Sequence, residues 1–132
     1  MATVTAGLTL ASSAGDLTTQ VLSLTVSEAI TAAHTTGFAK TKVTQTGANT
    51  STEIIYTASD YSGPVYLYLL NTQTTATDYI YVYDDTSTGD PVIAQLGGGN
   101  FGLIPLKGDK TLRVYGSAAD HVLEYMVFGT QA

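Results

Sequence analysis

Apolar and polar residues alternate with a period of two over short stretches of the chain, and no stretch sustains a helical period. The spacing predicts strands at 53–57 (EIIYT), 64–71 (PVYLYLLN), 78–84 (DYIYVYD), 91–96 (PVIAQL), 101–106 (FGLIPL), 111–115 (TLRVY) and 121–128 (HVLEYMVF). Earlier strands are predicted at 3–10, 20–28 and 38–46. In 20–28, Leu22, Leu24 and Val26 share one face while Ser23, Thr25 and Ser27 share the other. The weak, polar alternation of 38–46 suits an edge strand. The connectors NTQTTAT, DTSTGD, GGGN, KGDK and GSAAD carry residues that tolerate turns. Only 29–37 reads both ways. Ser27 followed by Glu28, Ala29 and Ile30 can open a short helical turn, which the β-branched threonines beyond it would stop. Short strands at roughly ten-residue spacing predict an all-β fold, an antiparallel β-sandwich or jelly-roll-like domain of about eight to ten strands.

The length of 132 residues fits a single domain, 1–132. Seven of the nine tyrosines lie at or after Tyr66, and Phe38 is the one aromatic residue of the first 50. Residues 1–50 therefore read as a plainer portion, in part an arm lying on a neighbouring subunit, and 51–132 as the compact part.

Composition narrows the chemistry. The chain has no cysteine, which rules out disulfides and thiolate metal sites. Its two histidines, His34 and His121, are too few for a histidine cluster. A net charge of −6 with five cationic side chains argues against nucleic acid and anionic membranes as partners. The nearly apolar run 65–70 is far too short to span a bilayer. The N-terminal sequence has neither the basic nor the apolar region of a secretory signal, so none is expected. Charged residues make up 12%, and mean hydropathy is +0.15. Such a surface must be covered by neutral polar groups or by a partner. The 23 threonines, with serine and glycine, fit a protein that works outside cells.

Tyrosines form the most specific pattern. Tyr79, Tyr81 and Tyr83 share one face of a strand, with Ile80 and Val82 on the other, and Tyr66 and Tyr68 sit on the strand before. A hairpin of 64–71 and 78–84 would make these rings cross-strand neighbours. They would then fill an oligomer contact, together with Tyr125 and Phe128, or form an exposed platform that stacks on a glycan. Strand 64–71 is apolar on both faces, Val65, Leu67 and Leu69 against Tyr66, Tyr68 and Leu70, which predicts a homo-oligomer because a small sandwich strand usually has one wet face.

No catalytic, cofactor or metal site is predicted. Asp84, Asp85 and Asp90, with Thr86, Thr88 and Gly89, loosely echo a calcium loop. Its twelfth position is Gln95, and Pro91 opens a strand inside it, so a solvated turn is expected. Asp120 before His121 reads as a turn residue and a strand-edge histidine. Glu124 reads as a structural acid at a subunit contact, paired to Arg113. The run 97–99 lacks the helix and Lys-Ser/Thr of a phosphate loop and reads as a tight connection.

The order VYLYLLNTQTTATDYIYVYDD, GGGNFGLIPL, GDKTLRVYGS and VLEYMVFGT, closing on Leu123, Glu124, Tyr125 and Phe128, resembles the small β-structured virion proteins of tailed bacteriophages, of the capsid decoration or cement type. The resemblance covers about the last half of the chain and carries no catalytic signature. It implies a non-enzymatic protein, assembled in the host cytoplasm, that binds the major capsid protein on the outer capsid surface, with a trimer favoured. The alternative is a carbohydrate- or receptor-binding β module that uses the tyrosine stripe.

Overall fold

In the computed structural model, residues 2–12, 23–32, 34–35, 39–44, 46–47, 53–86 and 89–132 are described. Leu22, Phe38 and Thr88 lie outside them. The described residues contain eleven strands and no helix: β1 (Ala2–Ala11), β2 (Ser23–Ala32), β3 (His34–Thr35), β4 (Ala39–Lys42), β5 (Ile54–Tyr56), β6 (Tyr61–Asn71), β7 (Ile80–Asp84), β8 (Val92–Leu96), β9 (Phe101–Lys107), β10 (Leu112–Gly116) and β11 (Val122–Gln131). Among the described residues of 29–37 no helical turn forms. Residues 29–32 continue β2, where Ile30 stands opposite Val4, and His34–Thr35 pair with β11. Branched side chains such as Ile30 gain more on a pleated surface than in a helical turn.

The chain divides into two compact units, Met1–Ala32 and Ala33–Ala132. The division falls earlier than the change of character near residue 50. Residues 39–42 pair with β11, and Val43 is buried in the core of the second unit.

The first unit is an antiparallel ribbon of β1 and β2, in register from Ala2 opposite Ala32 to Ala11 opposite Ser23. Cross-strand partners share a face, so the pairs Leu8–Val26 and Leu10–Leu24 lie with Val4–Ile30 and Ala6–Glu28. The other face carries Thr5, Gly7 and Thr9 opposite Ala29, Ser27 and Thr25. The alternation read from 20–28 is therefore the true division of β2.

The second unit is a β-sandwich. One sheet runs β5-β10-β7-β8. The other runs β3-β11-β6-β9, with β4 pairing on β11 beyond β3. All pairings are antiparallel. Alternate residues point inward: Val65, Leu67 and Leu69 from β6, Leu123 and Val127 from β11, Ile80 and Val82 from β7, Leu112 and Val114 from β10. These fill one cluster with Val43, Ile55 and Leu96, the close-packed interior that makes a sandwich stable.

The hairpin expected between 64–71 and 78–84 does not form. β6 lies between β11 and β9, whereas β7 lies between β10 and β8 in the other sheet. Pairing with β11 on one edge and β9 on the other satisfies the backbone of β6, while its Tyr66, Tyr68 and Leu70 face stays on the outside of the sheet. The link between β6 and β7 is fixed by Asn71, which is fully buried. Its side-chain amide donates to the carbonyls of Asp78 (2.7 Å) and Leu96 (2.8 Å), and its side-chain oxygen accepts from the Gln73 amide at 3.1 Å. The 97–99 connection closes against the same link. A Cβ on Gly98 would stand 2.3 Å from the Thr75 carbonyl oxygen.

Candidate interaction surfaces

The register of the second sheet builds one surface row by row. Across β11, β6 and β9, Phe128 stands beside Tyr66 and Pro105, Met126 beside Tyr68 and Leu103, and Glu124 beside Leu70 and Phe101. All nine residues point away from the core, because their sequence neighbours Leu67, Leu69, Leu123, Val127 and Ile104 point into it or pack on it. Eight of the nine are apolar or aromatic. On β9, exposure alternates with the strand period, and Phe101 is 70% exposed. The acid in the grid is not idle. Glu124 lies 3.4 Å from Lys40 of β4 and bonds the Tyr68 hydroxyl. That phenol is held above its ordinary pKa by partial burial and then by the Glu124 carboxylate. The expected Glu124–Arg113 pair is absent because β11 and β10 belong to different sheets, and Arg113 instead meets Asp85 at 2.7 Å.

The other sheet gathers tyrosines. Tyr81 and Tyr115 are direct partners across β7 and β10, with rings stacked at 4.7 Å and 14°. Tyr79 lies 6.2 Å from Tyr81, and Tyr83 lies 5.7 Å from Tyr115. Tyr83 is wholly buried, while Tyr79, Tyr81 and Tyr115 are half-buried. As a glycan platform this row is poor. Tyr81 and Tyr115 each spend one ring face on the other, and Tyr83 has none to offer.

The seven residues proposed for an interface thus separate into three places. Tyr66, Tyr68 and Phe128 share the outer face of the β11–β6–β9 sheet. Tyr79, Tyr81 and Tyr83 lie in or beside the opposite sheet. Tyr125 falls on the inward parity of β11 and packs against the core, where burial raises its hydroxyl pKa. Phe101, Leu103, Pro105 and Met126 belong to the outer face and were not singled out. Their signal is the one used for 64–71: FGLIPL and MVF are apolar on both parities.

Polar constellations elsewhere are satisfied structurally. Asp84 is buried. It receives the Thr86 amide at 2.9 Å and the Thr86 hydroxyl, and it meets Lys110 at 2.9 Å. The hydrogen bond to Asp84, and then its charge, hold the Lys110 ammonium above its ordinary pKa. Asp120 sits at φ 71° in a turn and meets Lys42 at 2.7 Å. His121 Nδ1 lies 3.3 Å from the Tyr79 carbonyl. Among the described residues, no three His, Cys, Asp or Glu side chains converge as a metal site would require.

Comparison with family models, with curated proteins and with solved structures finds no match to this chain.

Proposed function

We propose that the protein is a non-enzymatic structural component of a tailed-phage virion, of the capsid decoration or cement type. It is assembled in the host cytoplasm and binds the major capsid protein on the outer capsid surface as a homo-oligomer, most simply the trimer that the resemblance favours. The observation that supports this reading is the outer face of the β11–β6–β9 sheet, eight of whose nine positions are apolar or aromatic. A sandwich that only had to remain soluble would carry polar residues there. The attachment is multivalent: modest contacts by each protomer are multiplied over a lattice, which raises avidity without new chemistry. The neutral, threonine-rich exterior suits this role, since apolar and neutral contacts are not screened by salt. The glycan-binding alternative rests on the Tyr79, Tyr81 and Tyr115 row, and the mutual stacking of those rings weighs against it.

Particles with and without this protein, exposed to heat or osmotic shock, test the reading. Complete particles should retain their genome under stress that empties stripped ones. Equal retention overturns the cement role and makes adhesion the leading account, tested by glycan binding before and after Tyr81→Ala.

A further inference from the structure

We propose that Pro105 guards the open edge of the β11–β6–β9 sheet, stopping a second copy of the chain from adding its own β9 there, strand to strand. The inference goes beyond the attachment reading and does not depend on it.

β9 is the last strand of its sheet, and among the described residues no strand pairs with its far side. Which backbone groups face that side follows from the register. Gly63 accepts from the Gly108 amide at 2.8 Å, and Asn71 donates to the Asn100 carbonyl and accepts from the Gly99 amide, both at 3.0 Å. In an antiparallel pair a residue turns its N–H and C=O to the same side, and that side alternates along the strand. Between Gly63 and Asn71 the odd-numbered residues of β6 therefore bond β9, and their partners are Leu106, Ile104 and Gly102. Phe101, Leu103, Pro105 and Lys107 turn their backbone groups outward. The Lys107 carbonyl agrees, since it accepts the Tyr56 hydroxyl from a strand of the other sheet. Proline has no N–H, so the outward row of donors is broken between Leu103 and Lys107.

Without that break the edge would suit a copy of itself. Phe101 and Leu103 are exposed, so apolar side chains flank the open backbone, the pattern that invites edge-to-edge pairing. Two β9 strands, antiparallel about a twofold axis at Leu103, would set Phe101 of each copy opposite position 105 of the other. Pro105 then leaves the Phe101 carbonyl of the second copy without a donor, and its ring takes the place of the missing hydrogen. The other edges of the sandwich carry different obstacles to the same event. β4 holds Lys40 and Lys42, β5 is three residues long, and β8 pairs with a register shift at Val82 and Tyr83. At seven residues β9 is the longest of these edge strands, its pairing with β6 runs without a shift, and Pro105 is the obstacle it has.

Light scattering across a concentration series, on the full chain and on Pro105→Thr, tests this, with far-ultraviolet spectra to confirm that each is folded. The substitution restores an outward donor and puts a hydroxyl in place of an apolar side chain on the outer face. Contact through that face can then only weaken, so a gain in association belongs to the edge. Pro105→Thr should grow beyond the wild-type mass, with self-association strengthened by roughly 10-fold or more, the scale of two restored hydrogen bonds. The double variant Leu103→Pro/Pro105→Thr moves the gap two residues along the same outward row and should return to the wild-type mass. Equal masses for wild type and Pro105→Thr overturn the inference, as does a double variant that associates as strongly as the single one. No capsid enters the test, so its failure leaves the attachment reading standing.

Discussion

At the scale of single residues, Asn71 is a fully buried polar side chain that joins three stretches of backbone. It ties the 72–79 link to the end of β8 through two donated hydrogen bonds in a site closed to water. Asn71→Ala leaves the Asp78 and Leu96 carbonyls without that donor. It should cost about 2–6 kcal/mol, given roughly 1–3 kcal/mol for each of the two carbonyls left unpaired, measured by urea denaturation. Gly98→Ala should also destabilise, because its Cβ would meet backbone at 2.3 Å, which no side-chain rotation relieves. Tyr56 sets an alkaline limit. Burial, followed by Asp84, Asp109 and Tyr61, pushes its hydroxyl up to about 12, and that hydroxyl donates to the Lys107 carbonyl at 3.4 Å. Its folded pKa lies above the unfolded value of 10.0, so the stability it contributes is complete below pH 10 and is lost as pH rises towards 12. Tyr56→Phe should flatten the fall in stability across that window, read from denaturation midpoints at stepped pH. An unchanged slope would assign alkaline unfolding to other groups.

At the scale of elements, parity decides consequence. Leu67 and Tyr66 are neighbours on β6, yet one is sealed in the core and the other belongs to the outer face. Leu67→Ala should cost about 2–5 kcal/mol of fold stability, as buried leucine truncations do. Leu103→Asp should leave the far-ultraviolet spectrum intact, because its side chain points away from the core. Most of this was legible in the sequence. The two-residue period located every strand from 53 onward to within a few residues, and it divided the faces of β6, β2 and β7. Partnership was not legible. Alternation says which way a side chain points and nothing about which strand lies beside it, so the tyrosines of β6 and β7 were joined in a hairpin when they belong to opposite sheets. Asn71 was hidden for a similar reason. A polar residue at the end of an apolar run reads as a turn until the loops that close over it are known.

At the scale of the molecule, the chain combines a closed sandwich core with apolar surface placed outside it, on one sheet and on one ribbon face. The acids near the 84–90 turn do not change that balance. Asp84 and Asp85 are matched by Lys110 and Arg113, so millimolar calcium followed by a chelator should leave the melting temperature unchanged. A reversible rise of several degrees would show a bound ion linked to the folded state. The apolar surface is the central matter, because an attachment protein needs area, shape and copy number in place of reactive groups. The most direct measurement adds purified protein back to stripped particles and records the temperature of genome release. Wild type and Tyr81→Ala should both restore the release temperature of complete particles, and folded Leu103→Asp should not. Restoration by Leu103→Asp equal to that of the wild type would contradict the assignment of the β11–β6–β9 face as the surface through which this protein works.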